Sequence, residues 1–270
     1  MMTGTTLRMG SRRRAVLGVL LASVCGAGLA TAQDLAVAAA SDLQPVLPAV
    51  VNQFQKETGR SVVVTFGSSG NFFSQLENGA PFDVFLSADI DYPRRLEAAG
   101  LTEPDTLHEY AVGAIVLWAR TGTPVDVRAG LTALLSPAVR RIAIANPTHA
   151  PYGRAAVAAF QRAALYDRVQ PKLVFGENVS QAGQFVQSGN AEAGILALSL
   201  ALSPAFRDAG TYYTIPASAY PPIEQGAVVL KSSRHTALAT AFLAFFARAD
   251  IVALLQSSGF APPPATARPR

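Results

Sequence analysis

Cysteine occurs once in 270 residues, at Cys25, and charged residues make up only 15% of the chain. A single cysteine excludes an intrachain disulfide framework and the paired-thiolate metal sites. The three histidines, His108, His149 and His235, lie at no spacing that brings two imidazoles onto one ion. The patterns G-x-x-x-x-G-K-[ST], G-x-G-x-x-G and G-x-S-x-G are all missing, so the common nucleotide and nucleophile-elbow signatures are not available. Low charge combined with 50% hydrophobic residues excludes a disordered chain. Only one apolar run nears membrane-spanning length, and it sits at the N-terminus.

That run follows Ser11-Arg12-Arg13-Arg14, extends over Ala15–Ala30, and ends in Ala30-Thr31-Ala32 before Gln33. A basic start, a short apolar stretch and a small-residue exit read as a secretory signal peptide over residues 1–32, so the remainder is expected in the periplasm. Val24 before Cys25 is too bulky for a lipoprotein signal. The segment holds four arginines and no acid, which leaves 18 cations against 18 anions in residues 33–270. The formal +4 of the whole chain therefore belongs to the export signal, and a nucleic-acid partner has no support from charge.

After residue 32, short apolar strands alternate with helical patterns. Leu35–Ala40 reads as a strand, and Leu47, Val50, Val51 and Phe54 follow at helical spacing until Gly59. The spacing predicts one long strand over Ala111–Ala119 and one continuous helix over Tyr152–Tyr166. Pro48 predicts an irregular start to the first helix. Such alternation argues for α/β architecture with parallel sheets, and there are enough strands for two doubly wound lobes. Residues 261–270, rich in proline and alanine, read as a disordered tail.

Four times a strand ends in small or hydroxyl residues and a helix begins at once: at Ser41-Asp42-Leu43, Gly67-Ser68-Ser69, Asn146–Gly153 and Gly176–Ser180. Ligands of α/β proteins collect beyond the carboxyl ends of strands. Helix N-termini there present unpaired N–H groups and about half a positive charge each, so four would offer roughly +2 to an anion. Serine and aspartate at these points also serve as ordinary helix caps.

The segments Ala38–Leu43, Phe82–Asp89, Ala145–Gly153 and Gly176–Ser199, with Ser258-Gly259-Phe260 near the end, resemble the periplasmic molybdate-binding proteins of ABC importers. The resemblance covers nearly the whole chain after residue 32. It implies a type II periplasmic binding fold: two α/β lobes joined by a two-segment hinge, with the ligand cleft between them. Lobe 1 would comprise residues 33–111 plus 226–270, and lobe 2 residues 112–225. It further implies an oxyanion held by the hydroxyls of Ser41 and Ser69 and by backbone N–H groups of Ser41 or Asp42, Ser69, Tyr152 and Val179. No residue is assigned to molybdenum itself, which enters only within the oxyanion. The expected role is a receptor for molybdate, and for tungstate, that hands its cargo to a membrane ABC permease. It would work as a monomer, without cofactor, catalytic residue or covalent chemistry. Sulfate, phosphate or a small organic acid is the alternative ligand, and an exported serine hydrolase the rival class. Ala197 falls where one branch of the family carries a further tyrosine ligand.

Duller roles are expected elsewhere. Asp42 should cap its helix, Ser68 turn the chain, and Asp83 and Asp89 fix loops. Trp118 should pack in a core, Arg154 point to solvent from a helix face, and His149 lie on the surface. One of Phe72 and Phe73 should be core, leaving the other to cover the cleft.

Overall fold

The computed structural model describes residues 35–263; the expected signal peptide and residues 264–270 of the expected tail lie outside the described residues. The first sheet has the order β2-β1-β3-β10-β4, built from β1 (Leu35–Ala40), β2 (Val62–Gly67), β3 (Val84–Ser87), β4 (His108–Gly113) and β10 (Ile223–Val229). The second repeats that plan as β7-β6-β8-β5-β9, from β5 (Ile115–Arg120), β6 (Ile142–Ala145), β7 (Leu173–Gly176), β8 (Ala193–Ala197) and β9 (Gly210–Thr214).

Each sheet is mixed rather than parallel. β1 runs parallel to β2 and β3, and β6 parallel to β7 and β8. The strand that enters each lobe from the other, β10 or β5, runs antiparallel to both its neighbours. An entering strand begins at the junction of the lobes and travels away from it. The parallel strands then travel toward the junction and deliver their carboxyl ends, with the helices that follow, to the cleft.

The expected strand over Ala111–Ala119 is two strands in two different sheets, parted at Ala114. Apolar continuity records burial, and both halves are buried, but it carries no information on pairing partners. The chain returns to the first sheet between Thr214 and Ile223, so Ile223–Gln225 already pair with β4.

Helices cover both sheets. α1 (Leu47–Thr58) buries Leu47, Val50, Val51 and Phe54, the face that the periodicity predicts. Before it the chain makes a 3₁₀ turn at Ser41–Leu43, and Pro48 falls in the first turn of α1, where a missing N–H costs nothing. α2 (Ser69–Glu77) and α3 (Asp91–Ala98) lie in the same lobe, with α9 (Thr236–Phe246) and α10 (Ala249–Ser257) closing it. In its core Phe54 meets Phe242 and Phe245 edge to face, at ring-centroid distances of 5.2 and 5.3 Å. Phe72 and Phe73 are both buried in a second cluster with Phe85 and Leu96, so neither covers the cleft.

In the other lobe, the expected helix over Tyr152–Tyr166 divides into α4 (Pro151–Arg162) and α5 (Tyr166–Val169). Leu165 turns back into the core, its N–H donating to the Phe160 carbonyl at 2.8 Å. α6 (Val179–Gln187), α7 (Leu198–Leu202) and α8 (Pro204–Arg207) complete the lobe, and Trp118 is fully buried against Phe206. Ala261, the first residue of the expected tail, is not disordered: it exchanges two backbone hydrogen bonds with Val112, at 2.8 and 2.9 Å. Asp83 fixes loops as expected, accepting from the Ala36 N–H and the Ser233 hydroxyl.

Candidate functional site

Four chain reversals meet where the lobes face each other. β1 runs into the Ser41–Leu43 turn, β2 into α2, β6 into α4 and β7 into α6. Ser69, Tyr152 and Val179 stand in the first turns of α2, α4 and α6, where N–H groups have no intrahelical acceptor. A small cavity of about 10 Å³ lies among them, and its lining includes Ser41, Asp42, Ser69, Tyr152 and Val179, all five expected residues. No lysine or arginine lines it, and Asp42 is its one charged side chain.

Local contacts hold these donors in place. Asn178 caps α6, its side chain accepting from the Gln181 N–H at 3.0 Å. Gly153 lets the start of α4 press against β6: a Cβ there would sit 2.1 Å from the Ala145 carbonyl oxygen. Ser69 is fully buried, and its Oγ accepts the Ala88 N–H at 2.9 Å, which leaves the hydroxyl proton free to donate elsewhere. The buried Ser41 hydroxyl bonds to no other described residue.

Asp42 departs from the capping role. Its carboxylate is fully buried, and Oδ2 accepts from the Tyr152 hydroxyl at 2.9 Å and from Gln225 Nε2 at 2.6 Å. Gln225 sits where the register between β10 and β4 slips, a bulge that turns a polar side chain inward. Gln225 Nε2 also reaches the Tyr152 hydroxyl at 3.1 Å, and its Oε1 accepts from Tyr110 at 2.7 Å. Oδ1 of Asp42 has no hydrogen-bond partner among the described residues. Burial pushes the Asp42 carboxyl up from 3.8 to about 6, against the lowering effect of the Gln225 and Tyr152 hydrogen bonds. Burial, then the charge of Asp42, holds the Tyr110 and Tyr152 hydroxyls well above their ordinary range. Ala40 is the N-cap of the Ser41–Leu43 turn, and no side chain caps it.

The lobes are drawn together by direct contacts. Ser199 donates to the Asp42 carbonyl at 2.8 Å, and the Gly70 N–H donates to the His149 carbonyl at 2.9 Å. Asn71 bonds Glu177, Ser180 bonds Gln44, and Arg154 pairs with Asp89. Arg154 is thus a cross-cleft tie rather than a solvated arginine, and it also reaches the Tyr92 hydroxyl at 3.2 Å. His149 is no surface residue, because its Nδ1 lies 2.9 Å from the Ser68 hydroxyl, which is buried. Glu177 stands 3.7 Å from His149 Nε2. This serine–histidine–acid trio spans the lobes, so opening the cleft would part the hydroxyl from the imidazole just when a substrate could enter. A tether fits that placement better than a nucleophile.

A family model described as bacterial extracellular solute-binding protein matches residues 35–261. The molybdate-binding protein ModA of Azotobacter vinelandii is 37% identical over 239 residues, covering 87% of this chain and 94% of that protein. ModA of Rhodobacter capsulatus is 35% identical over 256 residues, covering 94% and 96%. Among solved structures, the periplasmic molybdate-binding protein of Azotobacter vinelandii matches with a TM-score of 0.80 at 35% identity. That match covers 85% of this chain and all of the other.

Proposed function

The chain belongs to the bacterial extracellular solute-binding proteins, and from that premise we propose that it is a molybdate receptor serving an ABC permease. Its place of work is the periplasm, as for the Azotobacter vinelandii protein it matches. One observation carries the ligand reading: the cavity at the lobe junction is lined by helix N-termini and serine hydroxyls, with no lysine or arginine. Such a site takes a compact, fully deprotonated oxyanion. The Ser41 and Ser69 hydroxyls and the backbone N–H groups of Ser41 or Asp42, Ser69, Tyr152 and Val179 donate to its oxygens. Each interaction is with oxygen, and none is with the metal at the centre of the anion.

Selectivity follows from size and proton count. A rigid set of donors fits one tetrahedral radius, so the smaller sulfate sits loosely. Phosphate near neutral pH carries a proton that donors cannot accept. Tungstate has nearly the radius of molybdate and binds alongside it. Titration calorimetry with molybdate, tungstate, sulfate and phosphate tests this. Tight binding of the first two and weak or undetectable binding of the others is expected, and a preference for sulfate or phosphate would overturn the assignment.

Hydrogen bonds to a charged partner contribute about 1.5–3 kcal/mol each. Ser41→Ala and Ser69→Ala should therefore each weaken molybdate binding by about tenfold to a hundredfold. Ser68→Ala removes only the link to His149 and should cost clearly less than Ser69→Ala in the same titration. The reverse ranking would mean that Ser68, not Ser69, meets the anion.

A further inference from the structure

A site for a doubly charged anion has, as its one charged side chain, an acid. Asp42 is fully buried in the cavity lining, its Oδ2 satisfied by Tyr152 and Gln225 and its Oδ1 bonded to none of the described residues. Among the described residues no cation lies against it to offset a charge. From α4 it faces the Tyr152 hydroxyl, and from β10 Gln225, with Tyr110 of β4 behind. α7 contributes Ser199, and the first turn of α6 the neutral Val179 and Ser180. Of the other titratable groups at the junction, His149, Glu177, Asp89 and Arg154 pair among themselves or with Ser68, Asn71 and Tyr92, and the Tyr220 hydroxyl, near Tyr152, accepts the Ile115 N–H.

We infer that capture of a dianion in this cavity is coupled to the uptake of one proton by Asp42, so that the bound complex contains the neutral acid. The inference rests on the reading of the cavity as a dianion site. The chemistry balances simply: the carboxylate takes a proton from solvent, no bond of the anion changes, and release of the anion returns the proton. A neutral acid removes the only like charge in the lining and turns an acceptor into a further donor. The environment already favours that form, since burial raises the Asp42 carboxyl to about 6 before any anion arrives. Molybdate itself stays a dianion from that pH upward, so the proton does not go to the anion.

Linkage then sets the direction. Below the free-state value the acid is already neutral and affinity is level. Above it each anion must bring in a proton, so affinity falls by about tenfold per pH unit until the bound-state value is passed. The receptor would hold its cargo more tightly in an acidified periplasm than in an alkaline one.

The test is molybdate titration calorimetry of the parent protein from pH 5.5 to 8, repeated at pH 7.5 in two buffers of unlike ionisation enthalpy. Uptake of about one proton per anion and a declining affinity above about pH 6 are expected. Asp42→Asn should show no buffer dependence, a flat profile, and binding at pH 8 at least tenfold tighter than the parent. Tyr152→Phe, which keeps the ring and removes one hydrogen bond to the carboxylate, should move the decline upward by about one pH unit. That variant carries the test should Asp42→Asn fail to fold. Molybdate binding with a flat profile and no proton uptake in the parent would overturn the coupling and leave the proposed function standing. Uptake that persists in Asp42→Asn would assign the proton elsewhere and overturn it too. Absence of molybdate binding at every pH would instead sink the proposed function. Phosphate binding by the parent, lost in Asp42→Asn, would make the carboxylate an acceptor and remove both readings.

Discussion

Gly70→Ala is expected to fold normally and to bind molybdate about 30- to 100-fold more weakly than the parent. Gly70 is the second residue of α2 in the first lobe, and its N–H bonds the His149 carbonyl of the second. A Cβ there would lie 2.6 Å from that carbonyl oxygen and 2.9 Å from the His149 Cα. Both are backbone atoms and cannot swing aside. The Tyr92 hydroxyl, at 2.8 Å, is the end of a side chain and can. Alanine is the better helix former by about 1 kcal/mol, so the lobe that carries it is not weakened. The added methyl acts as a wedge that the closed state must accommodate and the open state need not. A ligand favours closure only by its differential affinity for the closed form, and the wedge subtracts from that difference. Small-angle scattering should show the parent contracting with molybdate and the variant contracting less. Parental affinity in Gly70→Ala would show that His149 yields and that this contact does not limit closure.

The second large effect concerns stability. Asp42→Asn should stabilise the ligand-free protein at pH 7.5 by about 3 kcal/mol, and by little at pH 4. The folded-state value of about 6 stands above the ordinary 3.8, so the folded protein holds a proton that the unfolded chain has released between these values. The stability tied to that proton is fully present below pH 3.8 and is lost as pH climbs through about 6. Asparagine has nearly the same shape, still accepts from Tyr152 and Gln225, and carries no charge to lose solvation. In a protein of this size the gain corresponds to a rise in Tm of about 6–12 °C, read by thermal unfolding at the two pH values. An equal gain at both would mean that packing, not charge, distinguishes the two side chains.

The residues of the cavity and the residues that govern it differ in how far sequence reveals them. The segments that hold Ser41, Ser69, Tyr152 and Val179 are legible because each is a local event, a strand ending in small or hydroxyl residues just before a helix. The choice of those residues within the segments follows from the family resemblance, and neither source points to the Tyr152 hydroxyl. The partners of Asp42, at positions 152 and 225, lie 110 and 183 residues away, and no local pattern announces Gln225 beyond a polar residue in an apolar strand. The cap reading of Asp42 failed for that reason: local rules favour a cap, and tertiary partners outbid the helix terminus. Arg154 and His149 depart from expectation for the same reason, since their partners come from the opposite lobe. The split of Ala111–Ala119 has the same origin, because burial is written along the chain while strand pairing is written across it. The helices with one apolar face, such as α1 and α6, needed no distant information and fall where periodicity puts them.

A cavity that attracts its anion through fixed dipoles, in a molecule whose residues 33–270 carry equal numbers of anions and cations, has little far field. Partial charges at helix ends act within the first turn, well inside the screening length of about 8 Å at physiological salt. Encounter is then unguided, and the association rate gains nothing from electrostatic focusing of the kind that basic clefts provide. Discrimination is left to residence time: what enters an open cleft at an ordinary diffusive rate is kept or lost according to whether the lobes can shut on it. A receptor of this design should work at much the same rate in dilute and in concentrated surroundings, because dissolved salt has almost no long-range attraction to erode.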